Sequence, residues 1–169
     1  EHVQKDIVSK YQFQKVTQVV RGGSERYASV YQGLLSLQDT DYVLIHDGAR
    51  PFITSYKINE VINEVKEHKA VILGVKSKDT VKIVNSQGFV ESTPDRNYVW
   101  SIQTPQAFAY DLIKEAYDRT IKDCSSSITD DAMVIEYATN HPVKVLQGDY
   151  QNIKITTPDD VKVEYFQGL

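Results

Sequence analysis

Cysteine is almost absent: Cys124 is the only one in 169 residues. A single thiol excludes an internal disulfide and the stapled secreted scaffolds, and a reducing cytoplasm is the simplest compartment. No apolar run approaches the roughly 20 residues that cross a bilayer as a helix, and no signal peptide is visible. Positive charge is not in excess either. Lys and Arg number 19 against 23 Asp and Glu, a formal net charge of −4. That gives no general pull toward nucleic acid or an anionic membrane, so a phosphate ligand must be held by a local basic cluster. Internal repeats, low-complexity tracts and interdomain linkers are also missing. What is present is ordinary for a globular chain, 41% hydrophobic and 25% charged. It is long enough to bury a real core, and residues 1–169 read as one domain.

The most informative stretch is Asp41–Phe52, DYVLIHDGARPF. Tyr42-Val43-Leu44-Ile45 is a short apolar run of the kind buried on both faces in a parallel sheet. It ends in His46-Asp47-Gly48-Ala49-Arg50-Pro51, where an acid, a flexible Gly, a guanidinium and a rigid Pro share one loop. Ligands of open α/β sheets sit outside the carboxyl ends of strands. Asp47 is where a metal-binding carboxylate is expected, with Arg50 able to meet an anion. The bland alternative is a solvated turn with a surface Asp–Arg pair.

Around that stretch the pattern alternates. Glu1 begins in what reads as the middle of a helix (Val3, Ile7, Val8, Tyr11), so upstream residues are expected to be missing. Val16–Val20 reads as a strand. Arg21-Gly22-Gly23-Ser24 turns into a helix through about Leu37, with Ala28, Tyr31, Leu34 and Leu35 on one face. Lys57–His68 is a second amphipathic helix, striped by Ile58, Val61, Ile62 and Val65. Ala70–Val75 is another buried-type strand. Strand–helix–strand–helix–strand predicts parallel pairing with right-handed crossovers. Residues 76–100 break the rhythm. Val81–Val84 and Phe89–Ser92 alternate with period two around Asn85-Ser86-Gln87-Gly88, a hairpin signal. A lone hairpin is marginal, so it reads as an arm that packs on something else, such as a second copy of the chain.

Further on, Ser101–Phe108 reads as irregular and polar, Tyr110–Ile121 as a helix, and Lys122–Ser127 as a Ser-rich loop. Thr129 reads as the N-cap of a short helix with Asp130 and Asp131 in its first turn. Those two acids also admit a metal reading. Val143–Leu146 and Ile153–Ile155 read as short strands. Thr157-Pro158-Asp159-Asp160 opens a last helix.

Candidate functional residues each carry two readings. Gly22, Gly23 and Ser24 sit between a strand and a helix, where a backbone can approach an anion. They fit neither the dinucleotide nor the P-loop spacing, and a plain tight turn explains them equally. Ser29 is one turn into the helix. Arg96, Thr104 and Lys154 come from separate segments that do not look like core, and each alone reads as surface, while Thr80 starts the arm and reads equally as a β-favouring residue with no further role. Lys154 lies between Ile153 and Ile155, so strand alternation aims it at the face opposite them, which could line a cleft. His46 lacks a companion nucleophile and reads as a structural hydrogen-bonding residue. Cys124 lacks a catalytic signature.

Taken together, GGSER with Ser29-Val30, HDGARPF, KDTVK, Asp95-Arg96 with Trp100, QTPQ, TDDA and Asn152-Ile153-Lys154 run in order through nearly the whole chain. This set resembles the 2-C-methyl-D-erythritol 4-phosphate cytidylyltransferases of non-mevalonate isoprenoid synthesis. HDGARPF and QTPQ belong to a wider group that includes ribitol-5-phosphate cytidylyltransferases. Asp95-Arg96-Asn97 with Trp100 leans toward the erythritol enzymes.

The resemblance implies a Rossmann-like α/β nucleotidyltransferase with a mostly parallel sheet and a protruding hairpin arm over residues 76–100. It also implies a homodimer whose arms embrace. The implied reaction joins CTP to the polyol phosphate with release of pyrophosphate. By position, Gly22, Gly23, Ser24 and Ser29 are implied to contact the nucleotide, and Asp47 to hold Mg²⁺ or another divalent cation. Gly48, Ala49, Arg50, Thr80 and Thr104 are implied to bind the polyol phosphate, some across the dimer. Arg96 and Lys154 are implied to position the attacking phosphate. The resemblance also implies an N-terminal strand and a Gly-rich loop bearing Arg and Lys, which these residues lack. The fragment alone is therefore expected not to turn over CTP. The competing expectations are a ribitol-5-phosphate enzyme and a non-catalytic segment that only dimerises or binds nucleotide.

Overall fold

The computed structural model describes residues 2–123 and 128–161. Cys124 and the part of the chain after Val161 lie outside them. The described elements are α1 (Arg26–Leu35), β1 (Tyr42–Ile45), α2 (Ser55–His68), β2 (Ala70–Lys76), β3 (Ile83–Val84) and β4 (Val90–Ser92). They continue with β5 (Trp100–Ala109), α3 (Tyr110–Asp123), α4 (Asp131–Ala138) and β6 (Lys144–Gln147).

The α/β expectation holds, but the parallel one does not among the described residues. The main sheet has the order β1-β5-β2-β6. β5 pairs antiparallel with both β1 and β2, and only β2 with β6 is parallel. β1 and β2 do run the same way, since both oppose β5. The repeat of strand, helix and strand was legible; the later strand that inserts between them was not.

The reason lies in the composition of β5. Its centre is Gln103-Thr104-Pro105-Gln106, which reads as a loop. Pro lacks a ladder donor and is confined to edges and bulges. Here the register jumps between Ile72 opposite Gln106 and Leu73 opposite Gln103, so Thr104 and Pro105 are looped out of the β2 ladder. The Thr104–Pro105 peptide bond is cis. All four residues are nonetheless buried or nearly so. Buried polar side chains are tolerated when bonded. The Gln103 amide donates to the Asp149 carbonyl at 2.8 Å. The Gln106 carbonyl oxygen accepts from the backbone N–H groups of Asp131 and Ala132, both at 3.0 Å, and its amide donates to Asp130 Oδ2 at 3.0 Å.

Gln106 thus satisfies two of the free N–H groups at the start of α4. The N-cap is Asp130, accepting from the Met133 N–H at 2.9 Å, one residue later than the Thr129 expected from sequence. Gln106→Leu leaves those N–H groups buried without a partner. The expected cost is about 3 kcal/mol, read as a lowered urea midpoint at unchanged slope.

The core lies on both faces of the sheet because β2 is buried on both. Ala70 and Ile72 join Leu34, Val43, Phe108, Ile113, Tyr117 and Ile135 on the side of α1, α3 and α4. Val71 and Leu73 join Val61, Val65, Ala107 and Leu146 on the side of α2. Thr54 caps α2 by accepting from the Lys57 N–H at 3.3 Å. Lys69 ends it in the left-handed region at φ 62°.

Three further expectations change. Val16–Val20 is not a strand: it is exposed and joins no sheet among the described residues. Ile153–Ile155 is irregular, although Ile155 N–H donates to Ala49 O at 2.8 Å. The N-terminal stretch is helical, but as an exposed π-type segment over Val3–Ser9. The opening of the last helix is present as the 3-10 turn Pro158–Asp160, with Asp160 accepting from Thr157 N–H at 2.8 Å, and its continuation lies outside the described residues. The arm is present as β3 paired antiparallel with β4 around Gly88, which sits at φ 86°.

Candidate active site

β1 delivers Asp47 to the carboxyl edge of the sheet, and the turn after it folds onto the segment 152–155. Arg50 N–H closes the turn on Asp47 O at 2.9 Å. The Arg50 side chain donates to Asn152 O at 2.8 Å, and Asn152 donates to Thr104 O at 2.9 Å. With the Ala49–Ile155 contact, these bonds bring Lys154 beside a residue more than a hundred positions upstream. Thr104, turned out of the ladder by the bulge, accepts from the Asp47 N–H at 3.0 Å.

His46 has the structural role expected of it. Its Nε2 donates to Arg50 O, and its Nδ1 accepts from the Thr104 hydroxyl, both at 3.0 Å.

Asp47 is ringed by three cations. Lys154 Nζ is 2.9 Å from Oδ2, Arg50 Nε is 3.8 Å from Oδ2, and Arg26 Nε is 3.6 Å from Oδ1. Partial burial pushes the Asp47 carboxyl up. The hydrogen bond and charge of Lys154, with the charges of Arg26 and Arg50, outweigh that and hold it below the usual carboxylate range. Burial lowers the Arg50 guanidinium, opposed by Asp47. Arg50 Nε is also buried without a hydrogen-bond partner. The three cations and Asp47 line one cleft together with Gln103, Thr104, Gln106 and Asp130.

Behind it, the Arg26 guanidinium grips Asp131 at 3.1 and 2.7 Å, and the Tyr117 hydroxyl donates to the same carboxylate at 2.6 Å. Burial, then the Asp131 charge, pushes the Tyr117 phenol far up, so it stays a donor.

Gly22, Gly23, Ser24 and Ser29 come together at the start of α1. Ser29 Oγ accepts from the Gly23 N–H and donates to Glu25 O, each at 3.0 Å. A Cβ on Gly22 would meet Ser29 Oγ at 2.7 Å, and one on Gly23 would meet Ala28 Cβ at 2.5 Å. The glycines are needed for this close wrap.

The chain therefore brings Asp47, Arg50, Thr104 and Lys154 into one cleft, with Gly48 and Ala49 in the turn between Asp47 and Arg50. It does not bring Thr80 or Arg96 there. Both are exposed on the arm, and neither lines the cleft among the described residues. Sequence reasoning gave no role to Arg26, Tyr117, Gln103, Gln106 or Asn152. Arg26 and the two glutamines lie inside the quoted GGSER and QTPQ stretches, the one signal that could have found them. Asp131, weighed as a metal ligand, is engaged by Arg26 and Tyr117 and has no exposed side chain. Among the described residues no three His, Cys, Asp or Glu side chains gather as a metal cage.

Converging cations around a carboxylate at strand ends of an α/β sheet suit an anionic ligand, and comparison gives the class: nucleotidyltransferase. The model of the 2-C-methyl-D-erythritol 4-phosphate cytidylyltransferase family matches residues 2–166. The cytidylyltransferase of that name from Lachnoclostridium phytofermentans is 56% identical over 160 residues, covering 95% of this chain and 69% of that protein. Its counterpart from Alkaliphilus oremlandii is 52% identical over 164 residues, covering 96% and 69%. The crystal structure of 4-diphosphocytidyl-2C-methyl-D-erythritol synthase from Anaerococcus prevotii superposes with a TM-score of 0.85. It is 41% identical over 94% of this chain and 69% of that one. The chain belongs to the 2-C-methyl-D-erythritol 4-phosphate cytidylyltransferase family. The ribitol and non-catalytic alternatives are not favoured by these matches.

Proposed function

We propose that the protein joins CTP to 2-C-methyl-D-erythritol 4-phosphate, forming the CDP-alcohol and pyrophosphate for isoprenoid synthesis. Family membership supports the chemistry, and the single observation that carries the site is the ring of Arg26, Arg50 and Lys154 around Asp47.

A phosphate oxygen of the polyol attacks the α-phosphorus of CTP, a new P–O bond forms, and the bond to the β-phosphate oxygen breaks. The attacking oxygen is already anionic, so no general base is required. The obstacle is repulsion between a phosphate dianion and a triphosphate. Fixed cations that screen both and hold them in line supply most of the catalysis. Arg50 suits a two-pronged grip on phosphate, and Lys154 supplies a compact charge that can change partners. Gly22–Ser24 and Ser29 are assigned to the nucleotide; Gly48, Ala49 and Thr104 shape the polyol phosphate's side.

Asp47 is a hard-oxygen ligand at the cleft, its Oδ2 held in the free protein by the displaceable Lys154 ammonium. It fits Mg²⁺, which commonly takes one or two carboxylates and completes its shell with water and substrate phosphates. Bound there, the ion would neutralise triphosphate charge. Arg96 and Thr80 are assigned to the cleft of a second copy, reached through the arm, whose Ile83, Val84, Phe89 and Val90 are exposed in one chain. The cell compartment assigned is the cytoplasm. No described helix is long and apolar enough to cross a membrane.

The test is pyrophosphate release by the full-length protein. It is expected with CTP, Mg²⁺ and methylerythritol phosphate together, and not when any one is omitted. Equal or faster release with ribitol 5-phosphate would overturn the assignment.

A further inference from the structure

We propose that Arg26 is a positioning residue for Asp47, anchored for that purpose by Asp131 and Tyr117. This deepens the functional reading above and rests on it. Arg26 opens α1, Asp131 opens α4, and Asp47 follows β1. One guanidinium therefore joins three elements. Its two terminal nitrogens are committed to Asp131, leaving Nε turned to Asp47 Oδ1 at 3.6 Å.

The two oxygens of Asp47 are held differently. Lys154 and Arg50 address Oδ2, whereas Arg26 addresses Oδ1. Holding both oxygens fixes the plane of the carboxylate. The holders also differ in freedom. Lys154 is 43% exposed on a flexible stem and can leave for a phosphate. Arg26 cannot leave without stranding the Asp131 carboxylate, whose side chain has 0% exposure. Leaving a buried charge without its ion partner is strongly destabilising. When anions draw Lys154 away, Arg26 stays, and Asp47 keeps its direction.

The alternative is that the Arg26–Asp131 pair only staples α1 to α4. Melting temperature falls under either account, so it does not discriminate; the split between kcat and KM does. Arg26→Lys keeps the charge but loses the fork. With the full-length enzyme it is expected to lower kcat about 30-fold while KM for both substrates stays within about threefold. Asp131→Asn lowers kcat about 10-fold, and Tyr117→Phe, the mildest change, about threefold. Arg26→Lys with Asp131→Asn is no slower than Arg26→Lys alone, because Asp131 acts through Arg26.

Unchanged kcat in folded Arg26→Lys overturns the inference in favour of a staple. A raised KM at constant kcat overturns it in favour of a direct substrate contact. Multiplying effects in the double variant overturn the role given to Asp131.

A second readout needs no turnover. In nitrogen-15 NMR the Arg26 guanidinium is expected to rotate slowly about Nε–Cζ, and to rotate freely in Asp131→Asn. The Asp47 carboxyl carbon is expected to shift in Arg26→Lys. An averaged guanidinium signal in the unaltered protein, or an unmoved Asp47 resonance, overturns the anchoring. If the unaltered protein releases no pyrophosphate, the functional reading fails by itself and the NMR result still decides this one.

Discussion

Asp47→Asn is expected to lower kcat about a thousandfold while the protein stays folded. The figure follows from what the carboxylate is asked to do. Removing one group aimed at charge that develops in the transition state costs about 10²–10³ in rate. Under the proposed metal role, the loss extends to the coordinating oxygen for the divalent ion as well. An amide is a poor ligand for a hard cation, and it would face three positive side chains instead of offsetting them. The fold does not depend on the charge to the same degree. The Asp47 N–H bond to the Thr104 hydroxyl and the turn closed by Arg50 N–H on Asp47 O use only the backbone of residue 47 and persist in the variant. Lys154, already partly exposed, moves into solvent. A stability loss of about 1 kcal/mol is expected, the scale of a part-exposed ion pair. Steady-state kinetics beside thermal melting checks this. A kcat within tenfold of the unaltered enzyme would remove Asp47 from the centre of the chemistry.

Lys154→Met is expected to move two measurements in opposite directions. Turnover falls about a hundredfold or more, since the compact cation proposed to meet the reacting phosphates is lost and Met fills its stem's space without charge. Affinity for a divalent ion in the absence of nucleotide rises severalfold. In the free protein the Lys154 ammonium sits 2.9 Å from the oxygen a metal would use, and so competes with it. Mn²⁺ titration followed by paramagnetic relaxation measures the second quantity. Weakened Mn²⁺ binding in this variant would mean that Lys154 does not compete for Asp47.

These residues were partly legible before any coordinates. Asp47 and Arg50 stood out because acid, Gly, Arg and Pro together end an apolar strand. Lys154 stood out because it interrupts two isoleucines, although the segment proved irregular and reaches Asp47 through the Ala49–Ile155 and Arg50–Asn152 bonds. The α2 stripe was readable because Val61 and Val65 recur at helical spacing, whereas on α1 Leu34 is buried and the expected Leu35 is exposed. β5 was not, for a physical reason. Gln, Thr and Pro signal loops because they usually face water, whereas here each Gln side chain finishes another segment's hydrogen bonding: Gln103 that of the 149–152 turn, and Gln106 that of the start of α4. Arg26 was invisible in the same way. Nothing local to residue 26 announces a partner 105 positions away. Val16–Val20 was legible as a strand by type, but pairing is a property of neighbours and not of the segment.

The most direct test is a crystal structure of the full-length protein with Mg²⁺, methylerythritol phosphate and a non-hydrolysable CTP analogue. The account predicts the ion about 2.1 Å from an Asp47 oxygen, a typical Mg²⁺–oxygen distance. It also predicts Lys154 moved from Asp47 onto a phosphate, and Arg26 still forked on Asp131. Both phosphate groups bound outside the cleft of Arg26, Asp47, Arg50 and Lys154, with the Lys154–Asp47 pair intact, would contradict it.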